Sequence, residues 1–300
     1  MFGDRIEEPS YAPGTSDGRS HDRSARAALW EVVTLGSADQ LAASHLDALL
    51  GGRIAAVRIP GFVPADQCVL LLKRLREVGI GAYAGMKKAL GTLWPNHWVP
   101  RYVTGDWDAY FEGAIGAEEQ KRHLFEPIGD PRRLVNEPIR RALGEAITPL
   151  RCPSRGRAFH AMIVRAGAAE LHFDWAGFDL MPEVAKRVTA QMAWNIYLSN
   201  PGRGGELEVF QRQGTSPGLT KGEAASQGAD VVFGNYGFPA SVVSGARAVS
   251  IPVEQGDLVL VMNRHFHRVA AITPNELTNE RVAISAHIVR LDDGTLHDFS

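Results

Sequence analysis

The stretch Gly256-Asp257-Leu258-Val259-Leu260-Val261 is an apolar run of strand length behind a glycine turn, and it leads towards Phe266-His267-Arg268-Val269. Outward from it the chain reads as a succession of short β-type runs at 158–165, 170–174, 191–198, 205–211, 249–253, 257–262 and 281–290. Gly, Pro or Asn lies between most of them. Several short strands punctuated by turn signals predict an antiparallel sandwich or barrel. The stretch 212–248 is rich in Gly, Ser and Ala and too long for a hairpin turn, so it reads as a functional insertion or lid.

The first half reads differently. From Ala27 to about Gly79 the pattern is mixed and mostly helical. Gly52 to Ile59 alternates partly and ends at Pro60-Gly61, as a strand does. Cys68, Val69, Leu71, Leu72, Leu75 and Val78 have the spacing of an amphipathic helix closed by Gly79 and Gly81. Residues 82–128 are rich in Trp, Pro, Tyr and Gly and show no clean period. Asp130-Pro131 reads as an N-cap with Pro at the first helical position, opening a helix towards Ile147 with a kink at Pro138.

Composition narrows the class. Hydrophobic residues at 45% and charged residues at 22% are ordinary for a soluble globular chain. Three hundred residues can bury a sizeable core. A formal charge of −2 gives no electrostatic reason to expect nucleic acid or an anionic membrane as partner. No apolar run approaches the roughly 20 residues of a membrane span. Residues 1–26 are polar, rich in Gly, Ser and Arg, and lack an apolar signal core. They predict a flexible leader on a cytoplasmic protein, with 27–300 as one domain. Cys68 and Cys152, the two cysteines, read as cytosolic thiols.

The chemistry sits in His172-Phe173-Asp174. Residues two apart in a strand point the same way, so the imidazole and the carboxylate project together. Two His and one carboxylate occupy one face of a ferrous ion and leave cis positions open. The third donor must come from another strand. His267 and His265 share side parity; His267 is preferred because it stands directly before Arg268-Val269, and His265 remains a competitor. Arg281, Ala283 and Ser285 share a face of the next strand, where a guanidinium can take a carboxylate bidentately and a hydroxyl can add a bond. An unpaired Arg inside a barrel is costly, so an anion is its natural partner.

On these stretches the chain resembles the Fe(II)/2-oxoglutarate-dependent oxygenase superfamily. The matching pieces are Val164-Arg165-Ala166-Gly167 before His172-Phe173-Asp174, then Tyr197-Leu198-Ser199-Asn200 with Gly204-Gly205-Glu206-Leu207. Pro252 to Asp257 follows, and then Phe266-His267-Arg268-Val269 with Arg281. Residues 158–290 resemble the prolyl-hydroxylase branch, while the overall layout is similar to freestanding bacterial enzymes that halogenate or hydroxylate small molecules in secondary metabolism. The resemblance implies an α+β fold with a double-stranded β-helix (jelly-roll) core and flanking N-terminal helices. It implies iron on His172, Asp174 and His267, and 2-oxoglutarate on Arg281, with Tyr197 and Asn195 beside it. O2 is the other co-substrate, and Arg165 falls near co-substrate or substrate. Trp175 and Phe178, just past the metal stretch, are candidate walls of a small-molecule site. Related halogenases carry Gly or Ala where this chain carries Asp174, so hydroxylation is the implied outcome. Desaturation, epimerisation and ring closure share the same cofactor. A zinc hydrolase and a cupin-like binding protein are the rivals from other classes.

Overall fold

In the computed structural model, residues 30–82, 91–200, 204–214, 237–272 and 281–300 are described. The leader expected at 1–26 and the central part of the 212–248 insertion lie outside them. The first half supplies β1 (Val32–Thr34), α1 (Ala43–Leu50), β2 (Ala56–Ile59), α2 (Ala65–Val78), β3 (Gly81–Ala82), β4 (Gly91–Leu93), α3 (Trp107–Phe125) and α4 (Pro131–Leu143). Next come β5 (Ile147–Pro149), β6 (Arg151–Cys152), β7 (Arg157–Ala158), β8 (Ile163–Ala166) and β9 (Ala169–His172). Short helices α5 (Ala176–Asp179) and α6 (Pro182–Ala185) precede the long β10 (Val188–Ser199). The remainder is β11 (Leu207–Gln213), β12 (Ala248–Ile251), β13 (Leu258–Val261), β14 (His265–Val269), β15 (Val282–Leu291) and β16 (Leu296–Phe299).

Among the described residues, ten strands form one large sheet, whose main path runs β1-β2-β13-β10-β15-β8-β4-β3. A four-stranded sheet runs β12-β11-β14-β9. The period of two sorts the large sheet's faces. On β10, Trp194, Ile196 and Leu198 point into a core shared with Leu46 and Leu49 of α1, Leu71 and Leu75 of α2, and Val135 and Ile139 of α4. The alternate residues Ala193 and Tyr197 share a second core with Leu207, Val209, Ile251 and Val269 of the small sheet. Helices cover one face of the large sheet and the small sheet covers part of the other. Each fully buried Leu of the helix layer contributes roughly 2 kcal/mol. No helix among the described residues is long and apolar enough to cross a membrane.

Local chemistry explains most element ends. Helix α2 buries Cys68, Leu71 and Leu75, carries Asp66 in its first turn, and stops at Gly79, whose φ of 85° favours glycine. At the start of α4 the Asp130 side chain accepts from the Arg132 N–H at 2.9 Å, with Pro131 behind it. This helix runs through Pro138 and ends at Leu143, where Gly144 takes φ 72°; Ile147 instead opens β5. The glycine turn before β13 is required by space as well as backbone. Gly256 has φ 88°, and a Cβ there would lie 2.3 Å from the Val63 carbonyl oxygen.

Helix α3 is the main element without a sequence signal. Its buried residues are Tyr110, Phe111, Ala114, Ala117, Lys121, Leu124 and Phe125, which is helical spacing. The stripe includes two alanines and a lysine, so an apolar count does not register it. The large sheet also recruits β1 to β4, β5 and β16 from outside 158–290. Apart from β2, which its partial alternation marks, those strands are two to four residues long, too short to show a period.

Candidate metal centre

Strands β14 and β9 are antiparallel neighbours, and their register places His267 directly opposite His172. The two imidazole centroids are 4.2 Å apart. Strand β9 stops at His172, and the backbone N–H of Asp174 donates to the Asn263 carbonyl at 2.8 Å. That bond turns the Asp174 carboxylate towards both rings. Its Oδ2 lies 4.0 Å from His172 Nε2 and 3.7 Å from His267 Nε2. One donor atom from each of the three residues lies within 4.8 Å of the others, and no other such group of three occurs among the described residues.

The rings are held by their far nitrogens. His172 Nδ1 is 2.6 Å from the Glu170 carbonyl, and His267 Nδ1 is 2.8 Å from the His265 carbonyl. A carbonyl only accepts, so each Nδ1 carries the proton and each Nε2 presents a lone pair inward. Burial pushes the His172 imidazole down to about 3, with His267 adding to the shift, so the ring is neutral at pH 7. Burial also lowers His267. For Asp174, burial alone would raise the carboxyl. Electrostatic interaction with the His172, Arg165 and His267 side chains outweighs it and holds the group below the ordinary carboxylate range. Two neutral imidazoles and an anionic carboxylate form a donor set for a divalent cation with about 2 Å bonds.

His265 takes no part in that group. Its Nδ1 donates to the Phe210 carbonyl at 2.9 Å, and its ring packs 5.5 Å from Trp30. The pairing of β11 with β14 is irregular between Val209 and Gln213, and this break separates the surroundings of the two histidines.

The inner face of the large sheet carries the other expected groups. Arg281 is buried, and its guanidinium carbon lies 5.0 Å from the Tyr197 ring centroid. Its Nη2 is 3.5 Å from Tyr197 Oη, and its Nε has no hydrogen-bond partner among the described residues. Asn195 and Ser285 are paired across β10 and β15, and the Ser285 hydroxyl donates to Asn195 Oδ1 at 2.6 Å. Arg165 stands opposite Ala283, itself opposite Tyr197, so it lies on the same face. Trp175 is buried under Arg264, whose guanidinium carbon is 4.5 Å from its ring. Half-buried Phe178 lies 6.4 Å from Phe173, which packs with Phe238 and Phe266.

Four further groups, His287, Asn263, His97 and Asp179, surround the centre without having been singled out in the sequence. His287 lies on β15 two residues beyond Ser285, so extending the same strand face reaches it. Its Nδ1 is 2.8 Å from Asn263 Nδ2. Buried His97 packs 5.9 Å from the His287 ring but comes from an irregular segment that no period marks. Asp179 ends α5, five residues past Asp174.

Comparison with known proteins comes to bear on this geometry. No family model matches the chain. It is 30% identical over 139 residues to "Leucinostatins biosynthesis cluster protein S" of Purpureocillium lilacinum, covering 44% of this chain and 54% of that one. The match therefore spans about half the length of that relative. Over 258 residues it is 24% identical to the L-gamma-glutamyl-L-propargylglycine hydroxylase of Streptantibioticus cattleyicolor, covering 81% of this chain and 87% of the other. Among solved structures it superposes on an N-substituted L-amino acid dioxygenase from Burkholderia ambifaria, also solved with α-ketoglutarate. The TM-score is 0.57 at 12% identity, over 86% of this chain and 91% of that one. This chain shares the fold of that dioxygenase. The mixed helix and sheet architecture expected from the sequence is thus borne out, as is the oxygenase resemblance at the level of fold.

Proposed function

We propose that this protein is an Fe(II)/2-oxoglutarate-dependent oxygenase that hydroxylates an unactivated C–H bond of a small molecule in natural-product biosynthesis. The observation that carries the reading is the convergence of His172, Asp174 and His267 from separate stretches, with the Arg281 guanidinium, whose Nε has no partner among the described residues, on the facing sheet. The facing sheets are read as a double-stranded β-helix. The hydroxylase relative supports this reaction class, and the biosynthesis-cluster relative supports the natural-product setting.

Each residue has a part in that reading. His172, Asp174 and His267 would hold iron through two Nε2 atoms and a carboxylate oxygen. Bound iron with 2-oxoglutarate and O2 supplies the oxidising chemistry, giving succinate, CO2 and a hydroxylated carbon. Arg281 takes the distal carboxylate of 2-oxoglutarate, and Tyr197 packs against the guanidinium and fixes its direction. Asn195, held by Ser285, offers its amide N–H groups to the co-substrate. Arg165 and Trp175 line the substrate side with Phe178. Asp174 fills the position that a halide would need, so the carbon receives oxygen.

The test is succinate formation by the chain with Fe(II), 2-oxoglutarate and O2, screened over a small-molecule library. Product mass separates hydroxylation, which adds one oxygen, from desaturation, which removes two hydrogens. Hydrolysis sustained by zinc without O2 would overturn the reading.

A further inference from the structure

Asp174 differs from the other two candidate ligands in how it is held. The imidazoles belong to paired strands, whereas β9 stops at His172 and Asp174 opens an irregular stretch that runs into α5. Outside a ladder there are no repeating bonds to fix a residue, so its direction depends on what its neighbours touch. The next residue, Trp175, is extended and buried. Its N–H donates to Asp179 Oδ2 at 3.0 Å, and the N–H of Ala176 donates to the buried Gln191 Oε1 at 2.6 Å. Those bonds fix the backbone just beyond Asp174.

The Trp175 ring is fixed separately. The Arg264 guanidinium carbon lies 4.5 Å from its centroid, well inside the roughly 6 Å over which a ring face attracts a cation. Arg264 is half-buried and is itself anchored twice on one residue. Its carbonyl accepts from the Gly214 N–H at 2.9 Å, and its Nε donates to the Gly214 carbonyl at 3.2 Å. It also directly follows Asn263, whose carbonyl takes the Asp174 N–H at 2.8 Å. Two consecutive residues of the turn before β14 therefore grip two consecutive residues of the donor stretch. Asn263 grips Asp174 by its backbone, and Arg264 grips Trp175 by its ring. Gly177 completes the seat: a Cβ there would lie 2.3 Å from Trp175 Nε1, so glycine lets α5 fold against the indole edge.

We propose that Arg264 is a positioning residue for the metal carboxylate. Its guanidinium, anchored on Gly214, seats the Trp175 indole, and the seated indole keeps Asp174 turned towards His172 and His267. The inference rests on the metal reading above and adds to it a side chain that acts through Trp175. Groups behind a ligand set metal affinity by orienting it. Arg268 supplies an internal comparison. It lies four residues further along, on β14, and its guanidinium carbon is 5.7 Å from the Phe210 ring. It pairs with Glu208 and is exposed, and it alternates with His267, so it faces away from the donors.

The experiment is a Co(II) titration of the full chain followed by visible ligand-field absorption, with a metal-free thermal melt of every variant. Wild type and His267→Ala are titrated first. Loss of the band in His267→Ala assigns Co(II) to the three donors; an unchanged band sinks the metal reading itself, separately from the clamp. With that assignment made, Arg264→Gln should weaken Co(II) about tenfold, the lower end for outer partners of a metal ligand. Its saturated spectrum should move towards that of Asp174→Ala. Arg264→Lys keeps a cation for the ring and loses the Nε bond, so it should recover part of the affinity. Trp175→Leu should lose as much as Arg264→Gln, and the double variant no more than either, because the two side chains act as one unit. Arg268→Gln should bind as the wild type does. Should Arg264→Gln fail to fold, Arg264→Lys alone and with Trp175→Leu completes the same cycle. The proposal is overturned if the Arg264 variants keep wild-type affinity and spectrum, if the Arg264 and Trp175 losses add, or if Arg268→Gln weakens the metal equally.

Discussion

Replacing Arg281 with Met separates a structural guanidinium from a ligand-binding one. The side chain is 4% exposed, its Nε has no hydrogen-bond partner among the described residues, and its contact with Tyr197 Oη is 3.5 Å, at the weak limit of a hydrogen bond. A buried charge so poorly paired contributes little to the ligand-free fold, and an apolar residue of similar length is neutral or stabilising by about 1–4 kcal/mol. Bidentate binding of a 2-oxoglutarate carboxylate supplies two charge-assisted bonds worth about 1.5 kcal/mol each, so their loss weakens the ligand about 100-fold. At a 2-oxoglutarate concentration 100 times its Kd, the wild type gains about 2.7 kcal/mol, and the variant at the same concentration gains about 0.4 kcal/mol. At about 2 °C per kcal/mol, the ligand-induced rise in Tm falls from about 5 °C to about 1 °C, while the ligand-free Tm does not drop. The assay is a thermal melt with inert metal, with and without 2-oxoglutarate. An undiminished ligand-induced rise in the variant refutes the clamp. A ligand-free Tm several degrees lower refutes the claim that Arg281 is poorly paired in the fold.

The ligand set and the buried histidines give three further expectations. His267→Ala should lose stoichiometric iron, whereas His265→Ala should retain it, since its ring is engaged by Phe210 and Trp30; metal analysis of the two purified variants reads this directly. Asp174→Gly should abolish hydroxylation measured by product mass, and full turnover in that variant would remove Asp174 from the ligand set. His97 and His287 are pushed down by burial to about 4 and about 3, below the ordinary histidine value. Their unfolded forms take up protons first, so the stability they confer is complete above pH 6.5 and declines as pH falls towards their folded values. Each should cost about 1 kcal/mol between pH 7 and 5.5, seen by denaturant titration; a His97→Phe variant with an unchanged pH slope contradicts this.

How much was legible follows from how each signal is encoded. Strands β10, β13 and β15 are long or uniformly apolar, and their pattern exposes them directly. The candidate ligands His172 and Asp174 are separated by one residue, so strand parity suggests them as a pair, but β9 stops at His172 and it is the bond to the Asn263 carbonyl that turns Asp174 inward. His267 against His265 was not decidable by parity, because both residues share it. The choice is made by the irregular β11–β14 pairing, which depends on residues far away in sequence. Helix α3 was hidden because its buried stripe includes Lys121, which is satisfied by Glu118 and the Ala161 carbonyl and so behaves as a core residue. His97 was hidden for another reason. Its position comes from packing against His287 and Phe299, and no local pattern encodes that.

The same logic explains why the candidate metal donors sit where two kinds of order meet. His172 and His267 are opposed by sheet register, which is set by many strand pairs and resists single changes. Asp174 is past the end of its strand and is held by one backbone bond to Asn263, whose side chain is tied in turn to His287 on the other sheet. The carboxylate is therefore the ligand whose position depends on how the two sheets are docked, while the imidazoles depend on the small sheet alone. Gly214 marks the same junction from the far side: a Cβ there would fall 2.4 Å from the Phe173 ring, between the two ligands of β9 and its extension. Overpacking at that point should displace Phe173 and cost about 1–3 kcal/mol. Gly214→Ala should accordingly lower stability in denaturant and disturb Asp174 before it disturbs His267. Comparison of metal content in Gly214→Ala and in Gly214→Ala with Asp174→Ala reads that order. If the single variant binds metal as tightly as the wild type while losing stability, the junction does not control the carboxylate.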